Sequence, residues 1–302
     1  MNLHENNDAF VAAISGAADY YGIEEALVEK DYYVSLFLDR LKDRVPHLLF
    51  KGGTSLSKCH KIIDRFSEDI DLTLDAEHSM SGPRKHMKDD ILAVLDELGM
   101  KLLNEEEIRS RRDYNCYRVE YPINYPSRRI KPYLLIETVF IMKSFPDEVK
   151  PMNSMIAEWL GATRNTAAIE KYELLPFDIR VQTLERTLVD KVFAICDYML
   201  DNRTERQSRH IYDISRLLTA VKLDDSLKEL VKEVREERKS GVKSFSAQDS
   251  VNVPKLLQEI IDRQVYKKDY EDNTQELLTK RVPYDETIKA IEKIIESRIF
   301  LY

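Results

Sequence analysis

Leu48-Leu49-Phe50-Lys51-Gly52-Gly53-Thr54-Ser55-Leu56-Ser57-Lys58 opens the stretch that decides the fold, and Ser67-Glu68-Asp69-Ile70-Asp71-Leu72-Thr73-Leu74 closes it. The apolar run Leu48 to Phe50 reads as a strand. Two adjacent glycines stop it, allowing a positive-φ turn and a close approach of a ligand to the backbone. The hydroxyl- and lysine-bearing segment after them begins a short helix, and a second strand runs from Ile70 to Leu74. Asp69 and Asp71 are two apart on an extended chain, so their carboxylates share one face while Ile70 and Leu72 point into the core. Two like charges so close repel unless a cation lies between them. Such oxygen donors suit Mg²⁺, which takes one or two carboxylates together with phosphate oxygens. A solvated pair at a strand end is the alternative reading of Asp-x-Asp taken alone.

Working outward, residues 8 to 42 carry apolar positions at helical spacing, and residues 85 to 103 form a second amphipathic pattern ending near Gly99. Strand-like runs at Tyr117 to Ile123 and Tyr133 to Ile141 flank a basic turn, Asn124 to Arg129. Met80 to Arg84 reads as a loop. Beyond about Pro151 the pattern turns mostly helical, with Val181 to Leu200 as one long helix and Arg209 to Val221 as another. The expected architecture is α/β (α+β), a small mixed sheet flanked by helices and followed by a mostly helical C-terminal domain. The domains predicted are residues 1–45 (helices packed on the core), 46–150 (the core) and 151–302 (helical).

A net charge of −8 argues against a surface coated with positive charge, though a local basic patch that binds RNA is compatible with it. No apolar run approaches the roughly 18 residues a membrane helix needs. The polar, acidic N-terminus resembles neither a secretory nor a mitochondrial leader. Three cysteines, Cys59, Cys116 and Cys196, lack metal-ligand spacing, so reduced thiols in a cytoplasmic protein are expected.

The chemistry-bearing residues fall into two groups. Backbone N–H groups at Gly52 and Gly53, the hydroxyls of Thr54 and Ser55 and the ammonium of Lys58 suit a triphosphate. The spacing is not that of a Walker loop, and a plain strand-to-helix turn is the alternative. A two-metal site needs a third carboxylate on a neighbouring strand. Glu137, the only acid in the run Tyr133 to Phe140, is the candidate, with an edge-strand surface glutamate as the alternative. Farther on, Lys191 interrupts an apolar face of the long helix and Asp213 falls among Ile211, Ile214 and Leu217. Spacing alone favours an internal salt bridge for both.

FKGGTSLSK followed by RFSEDIDL closely resembles the signature of the AbiEii/AbiGii abortive-infection toxin family, MenT-like members of the nucleotidyltransferase-fold superfamily. Glu29-Lys30-Asp31-Tyr32-Tyr33, LERTLVDKVFAI and RHIYDI also resemble family segments, in the expected order, across residues 24 to 220. The resemblance implies a nucleotidyltransferase that uses Mg²⁺ and a nucleoside triphosphate and releases pyrophosphate. Some members of the family transfer nucleotides to the 3′ end of tRNA and so block translation. It further implies a toxin of an antiviral toxin–antitoxin system with a cognate antitoxin. By the same resemblance Ser67 contacts phosphate, Asp69 and Asp71 hold metal, and Lys191 and Asp213 join the catalytic set.

Two other functions are weighed alongside. One keeps the fold but transfers the nucleotide to a protein or small molecule, and the other is a non-catalytic nucleotide-binding protein. Arg109, Arg111, Arg112, Arg118, Arg128, Arg129 and Lys131 form one candidate RNA-facing group, and Arg203, Arg206, Arg209 and His210 another. Ordinary surface arginines paired with glutamates are the alternative for each.

Overall fold

Among the described residues, seven strands form one mixed sheet, in the order β3-β4-β5-β2-β1-β7-β6. They are β1 (Leu48–Lys51), β2 (Asp69–Leu74), β3 (Lys101–Leu102), β4 (Tyr114–Glu120), β5 (Leu134–Val139), β6 (Asp147–Met152) and β7 (Phe177–Gln182). The computed structural model describes residues 1–75, 81–110, 112–140 and 145–301, and only the backbone of Ser81. Met80, Arg111 and Ile141 therefore lie outside the described residues.

The chain divides into two compact units, the first made of residues 1–54, 68–140 and 148–181 and the second of 55–67, 141–147 and 182–302. In the first, β2 pairs antiparallel with β1 and parallel with β5, and β5 pairs antiparallel with β4. Alternation along the strands sorts the side chains by face. Ile70 and Leu72 on β2 and Ile136 on β5 are fully buried, each burial stabilising by about 1.5–3 kcal/mol. Asp69, Asp71 and Glu137 occupy the opposite, half-open face.

Helices α1 (Asn7–Tyr21) and α2 (Glu25–Arg44) belong to the same unit. The Asn6 side chain caps α1 at Ala9 N, and left-handed Gly22 ends it. The buried side of α2 carries Tyr32, Phe37 and Leu41, but also two charged residues, Glu29 and Lys30. Burying a charge is costly unless it is paired. Glu29 accepts from the backbone and side-chain amides of Asn124 (2.8 and 2.9 Å) and from Tyr125 N (3.0 Å). Asp31 accepts from Met155 N (2.7 Å), the first residue of α5 (Met155–Ala162). The basic turn between β4 and β5 is thus pinned by an acid far upstream.

The second unit is helical, with α7 (Leu184–Leu200), α8 (Arg209–Leu217), α9 (Asp225–Arg238) and α10 (Val253–Asp262). Leu188, Phe193, Ile214, Val231, Leu257 and Ile291 are among its buried core residues. Here the sequence reading of one helix over Val181 to Leu200 needs correction. Val181 and Gln182 finish β7, where Ile179 and Val181 alternate inward, and the Thr183 hydroxyl caps α7 by accepting from Arg186 N. The mostly helical pattern beyond Pro151 also contains a strand, β7, which with Val181 beside Phe50 extends the sheet. The helix expected at 85–103 runs from Ser81 to Glu97.

Replacing Glu29 with Ala would leave three donors without an acceptor. The variant is expected to lose about 3 kcal/mol or more in chemical denaturation and to lose amide-exchange protection at residues 124 and 125. Unchanged protection there would show that Glu29 does not hold the turn.

Candidate active site

Gly52 ends β1 with φ +78°, a conformation that L side chains rarely adopt. A Cβ built on it would stand 1.8 Å from Asp71 Oδ2. The Asp71 carboxylate therefore occupies the space that glycine leaves. Register explains the approach: Lys51 is the cross-strand partner of Asp71, which is in turn the partner of Glu137 on β5. Cys116 on β4 continues the row beside Glu137. Lys51, Asp71, Glu137 and Cys116 thus line up across four strands on the half-open face, with Asp69 two residues along from Asp71.

Each carboxylate has an identifiable neighbour. Asp69 Oδ1 is 3.3 Å from Lys131 Nζ, and the Thr54 hydroxyl donates to the Asp69 carbonyl (2.5 Å). Glu137 accepts from the Tyr114 hydroxyl (2.9 Å), and burial together with that carboxylate pushes the Tyr114 phenol well above its ordinary value. The donor set is all hard oxygen, which fits Mg²⁺. Among the described residues no three acidic, histidine or cysteine side chains converge into a complete cage. Mg²⁺ seldom needs one, because it keeps waters and takes substrate phosphate oxygens.

The glycine-hydroxyl segment forms α3 (Gly52–Lys58). Thr54 and Ser55 are buried, whereas Ser57 and Lys58 are half-exposed. Thr54 thus fixes the β2 backbone at Asp69 from inside the protein.

In the helical unit Lys191 and Asp213 come together, Nζ to Oδ2 at 2.7 Å, with Asp213 fully buried. This is the internal salt bridge that spacing favoured, but it has a third member that sequence reasoning missed. Arg65 grips Asp213 with both Nε (2.6 Å) and Nη2 (2.8 Å), and its Nη1 donates to Phe66 O (3.0 Å). Burial alone would raise the Asp213 carboxyl, yet the Arg65 and Lys191 charges outweigh it and hold the group well below the usual carboxylate range. A bidentate Arg-carboxylate pair has fixed geometry, and here it fixes the segment that leads into Ser67. Tyr212 reinforces it by accepting from Asp64 N (3.0 Å), as does Arg216 by donating to Ile62 O (3.1 Å). The signal for Arg65 was present in the quoted RFSEDIDL block, but its partner lay in RHIYDI, far along the chain.

Lys191 also lies 3.3 Å from His210 Nδ1. Burial, then the Lys191 and Arg209 charges, hold the His210 ring well below its ordinary value of 6.5. Its face stacks on Tyr198, centroids 5.8 Å apart at 12°.

The candidate RNA-facing arginines divide. Arg118 pairs with Glu107 (2.6 Å) and Arg129 with Glu24 (3.0 Å), and Arg203 pairs with Asp201. Arg109, Arg112 and Arg128 are exposed.

Two outcomes are expected. Gly52→Ala combines an unfavourable φ with a clash on Asp71, so it should destabilise by about 1–3 kcal/mol and displace the carboxylate. A crystal structure of that variant with Asp71 unmoved would refute the close packing. The second concerns pH. A folded-state ring held neutral below 6.5 binds its proton only in the unfolded chain, so the associated stability is present above pH 6.5 and is lost as pH falls below it. That loss is at most about 1.4 kcal/mol per pH unit. His210→Gln should flatten urea-derived stability between pH 7 and 5 by that contribution, and an identical slope would remove His210 as its source.

The sequence matches the family described as "Nucleotidyl transferase AbiEii toxin, Type IV TA system" over residues 36–296. Among curated proteins none matches. Among solved structures, MenT4, a nucleotidyltransferase toxin from Mycobacterium tuberculosis H37Rv, is similar with a TM-score of 0.55, covering 94% of this chain and 88% of that one at 17% identity. Likeness at that identity speaks for the fold, and the seven-stranded mixed sheet with flanking helices is similar to the fold of that toxin. The family match runs through the glycine-hydroxyl segment, both β2 aspartates and α7 to α10, so the chain belongs to the AbiEii nucleotidyltransferase toxins of type IV toxin–antitoxin systems.

Proposed function

We propose that the protein transfers a nucleotidyl group from a nucleoside triphosphate to the 3′ end of tRNA, in an Mg²⁺-dependent reaction in the cytoplasm that halts translation, under the control of a cognate antitoxin. The observation that carries the metal-dependent reading is the Asp71 carboxylate seated where Gly52 lacks a Cβ, beside Asp69 on the same face. Asp69 and Asp71 would hold the metal, with Glu137 as the third carboxylate of the row. When bound, Mg²⁺ supplies charge neutralisation for the phosphates of the triphosphate.

The acceptor hydroxyl attacks the α-phosphorus and forms the new P–O bond, while the bond to the bridging oxygen breaks and pyrophosphate leaves. Gly52, Gly53 and Lys58, with Ser67, are assigned to the phosphates. Thr54 and Ser55, being buried, support that segment from within. Lys191 is assigned to a phosphate oxygen on the strength of the family resemblance of its segment. Asp213 is ionised and engaged by two cations, so it serves as the positioning residue for Lys191. The proton of the acceptor hydroxyl then passes to a carboxylate of the sheet face, and Glu137 is the one assigned.

No helix is long and apolar enough to cross a membrane among the described residues. The exposed arginines Arg109, Arg112 and Arg128 support a polyanionic acceptor.

Incubating the protein with each labelled triphosphate, Mg²⁺, and total cell RNA and protein should label RNA of tRNA size. Labelled protein or small molecules instead would replace the acceptor while keeping the chemistry. Asp69→Ala should lose at least about a hundredfold in transfer and all growth inhibition while keeping a cooperative melt. A fully toxic Asp69→Ala would overturn the mechanism.

A further inference from the structure

Lys131 lies outside every motif of the chain, in the segment before β5, yet its backbone is held at both its N–H and its carbonyl. Its backbone N–H donates to Glu68 Oε2 (3.0 Å), and its carbonyl accepts from Lys30 Nζ (3.1 Å). Lys30 also donates to Glu68 Oε2 (2.8 Å) and is 1% exposed. A lysine and a glutamate brought together in this way hold the backbone N–H and C=O of one residue. From that anchorage the Lys131 ammonium reaches Glu68 Oε1 and Asp69 Oδ1, each at 3.3 Å.

The charges of Lys30, Glu68, Lys131 and Asp69 cancel. Asp69 therefore already has a counter-ion. A divalent cation at Asp69 would sit within a few ångströms of an ammonium whose backbone cannot retreat, because Lys30 and Glu68 hold it. Only the side chain can turn away, and it is 36% exposed and so has room to do so.

We propose that Lys131 is a resident cation that competes with the divalent metal for Asp69, so that metal binds weakly until a triphosphate arrives and draws the ammonium onto its phosphates. This rests on the reading of Asp69 as a metal ligand. Metal and nucleotide then bind cooperatively, because the triphosphate removes the competitor as it supplies the remaining ligands. Lys30 and Glu68 act through Lys131 and are positioning residues.

The test is a Mn²⁺ titration followed by electron paramagnetic resonance, with and without a non-hydrolysable nucleoside triphosphate. Without nucleotide, Lys131→Met should bind Mn²⁺ about tenfold more tightly than the unmodified protein, the size expected for removing one nearby positive charge. The gain on adding nucleotide should shrink by a similar factor, and Lys131→Arg should behave as the unmodified protein does. A merely structural role would weaken binding rather than strengthen it. Equal or weaker Mn²⁺ binding by Lys131→Met overturns the competition. A metal affinity that Asp69→Asn leaves unchanged overturns the metal reading itself, and the competition with it.

Discussion

The contact between the Asp71 carboxylate and the bare Cα of Gly52 is the constraint around which the sheet face is arranged. It requires β1 to end where it does, because a residue with a Cβ would overlap Asp71 Oδ2 at 1.8 Å. It also requires the Lys51–Asp71 register, since a slip of one residue would turn Asp69 and Asp71 into the core and Ile70 and Leu72 out of it. The parallel pairing of β2 with β5 then sets Glu137 beside Asp71. Three acids on one face follow from a single register.

Like charges gathered on one face must be balanced, and the sequence supplies the cations from a distance. Lys30, on a buried helix face, neutralises Glu68 and steadies Lys131 against Asp69. In the helical unit the same physics recurs with the signs exchanged: one buried acid, Asp213, is flanked by Arg65 and Lys191. Removing one partner of such a buried pair leaves an uncompensated charge and is expected to cost far more than any surface ion pair would. These groups are therefore parts of the scaffold. A carboxylate kept ionised by two cations makes a poor base and a good clamp.

Much of this was legible in the sequence where the pattern is local. The period of two that places Asp69 and Asp71 together needs no tertiary information, and neither does the glycine stop after Phe50. Lys191 and Asp213 could be paired by their intrusion into apolar helix faces. What could not be read depends on contacts between distant segments. Glu29 and Lys30 look like ordinary helix-surface charges until Asn124, Tyr125 and Glu68 are folded against them. Arg65 stands in a quoted block, yet its role depends on a residue in α8. The end of β7 was absorbed into a helix because Val181 and Gln182 fit a helical apolar pattern as well as a strand end, and the Thr183 cap decides between them.

The strings that carry the family resemblance are thus of two kinds. In the glycine-hydroxyl segment and β2, the residues themselves bear the oxygen donors and the backbone turn. In Glu29-Lys30-Asp31 and in RHIYDI, the charged residues hold other segments in place: the turn at Asn124, the start of α5 and the Arg65 segment. Burial explains why the second kind must be charged. A hydrogen bond to an ionised group is roughly twice as strong as a neutral one and fixes direction, so a few buried acids can pin loops that have little apolar surface to pack. Loops carrying exposed arginines are such segments, because their solvated side chains contribute little to a core. Anchoring them by their backbone amides leaves the arginine side chains open to solvent.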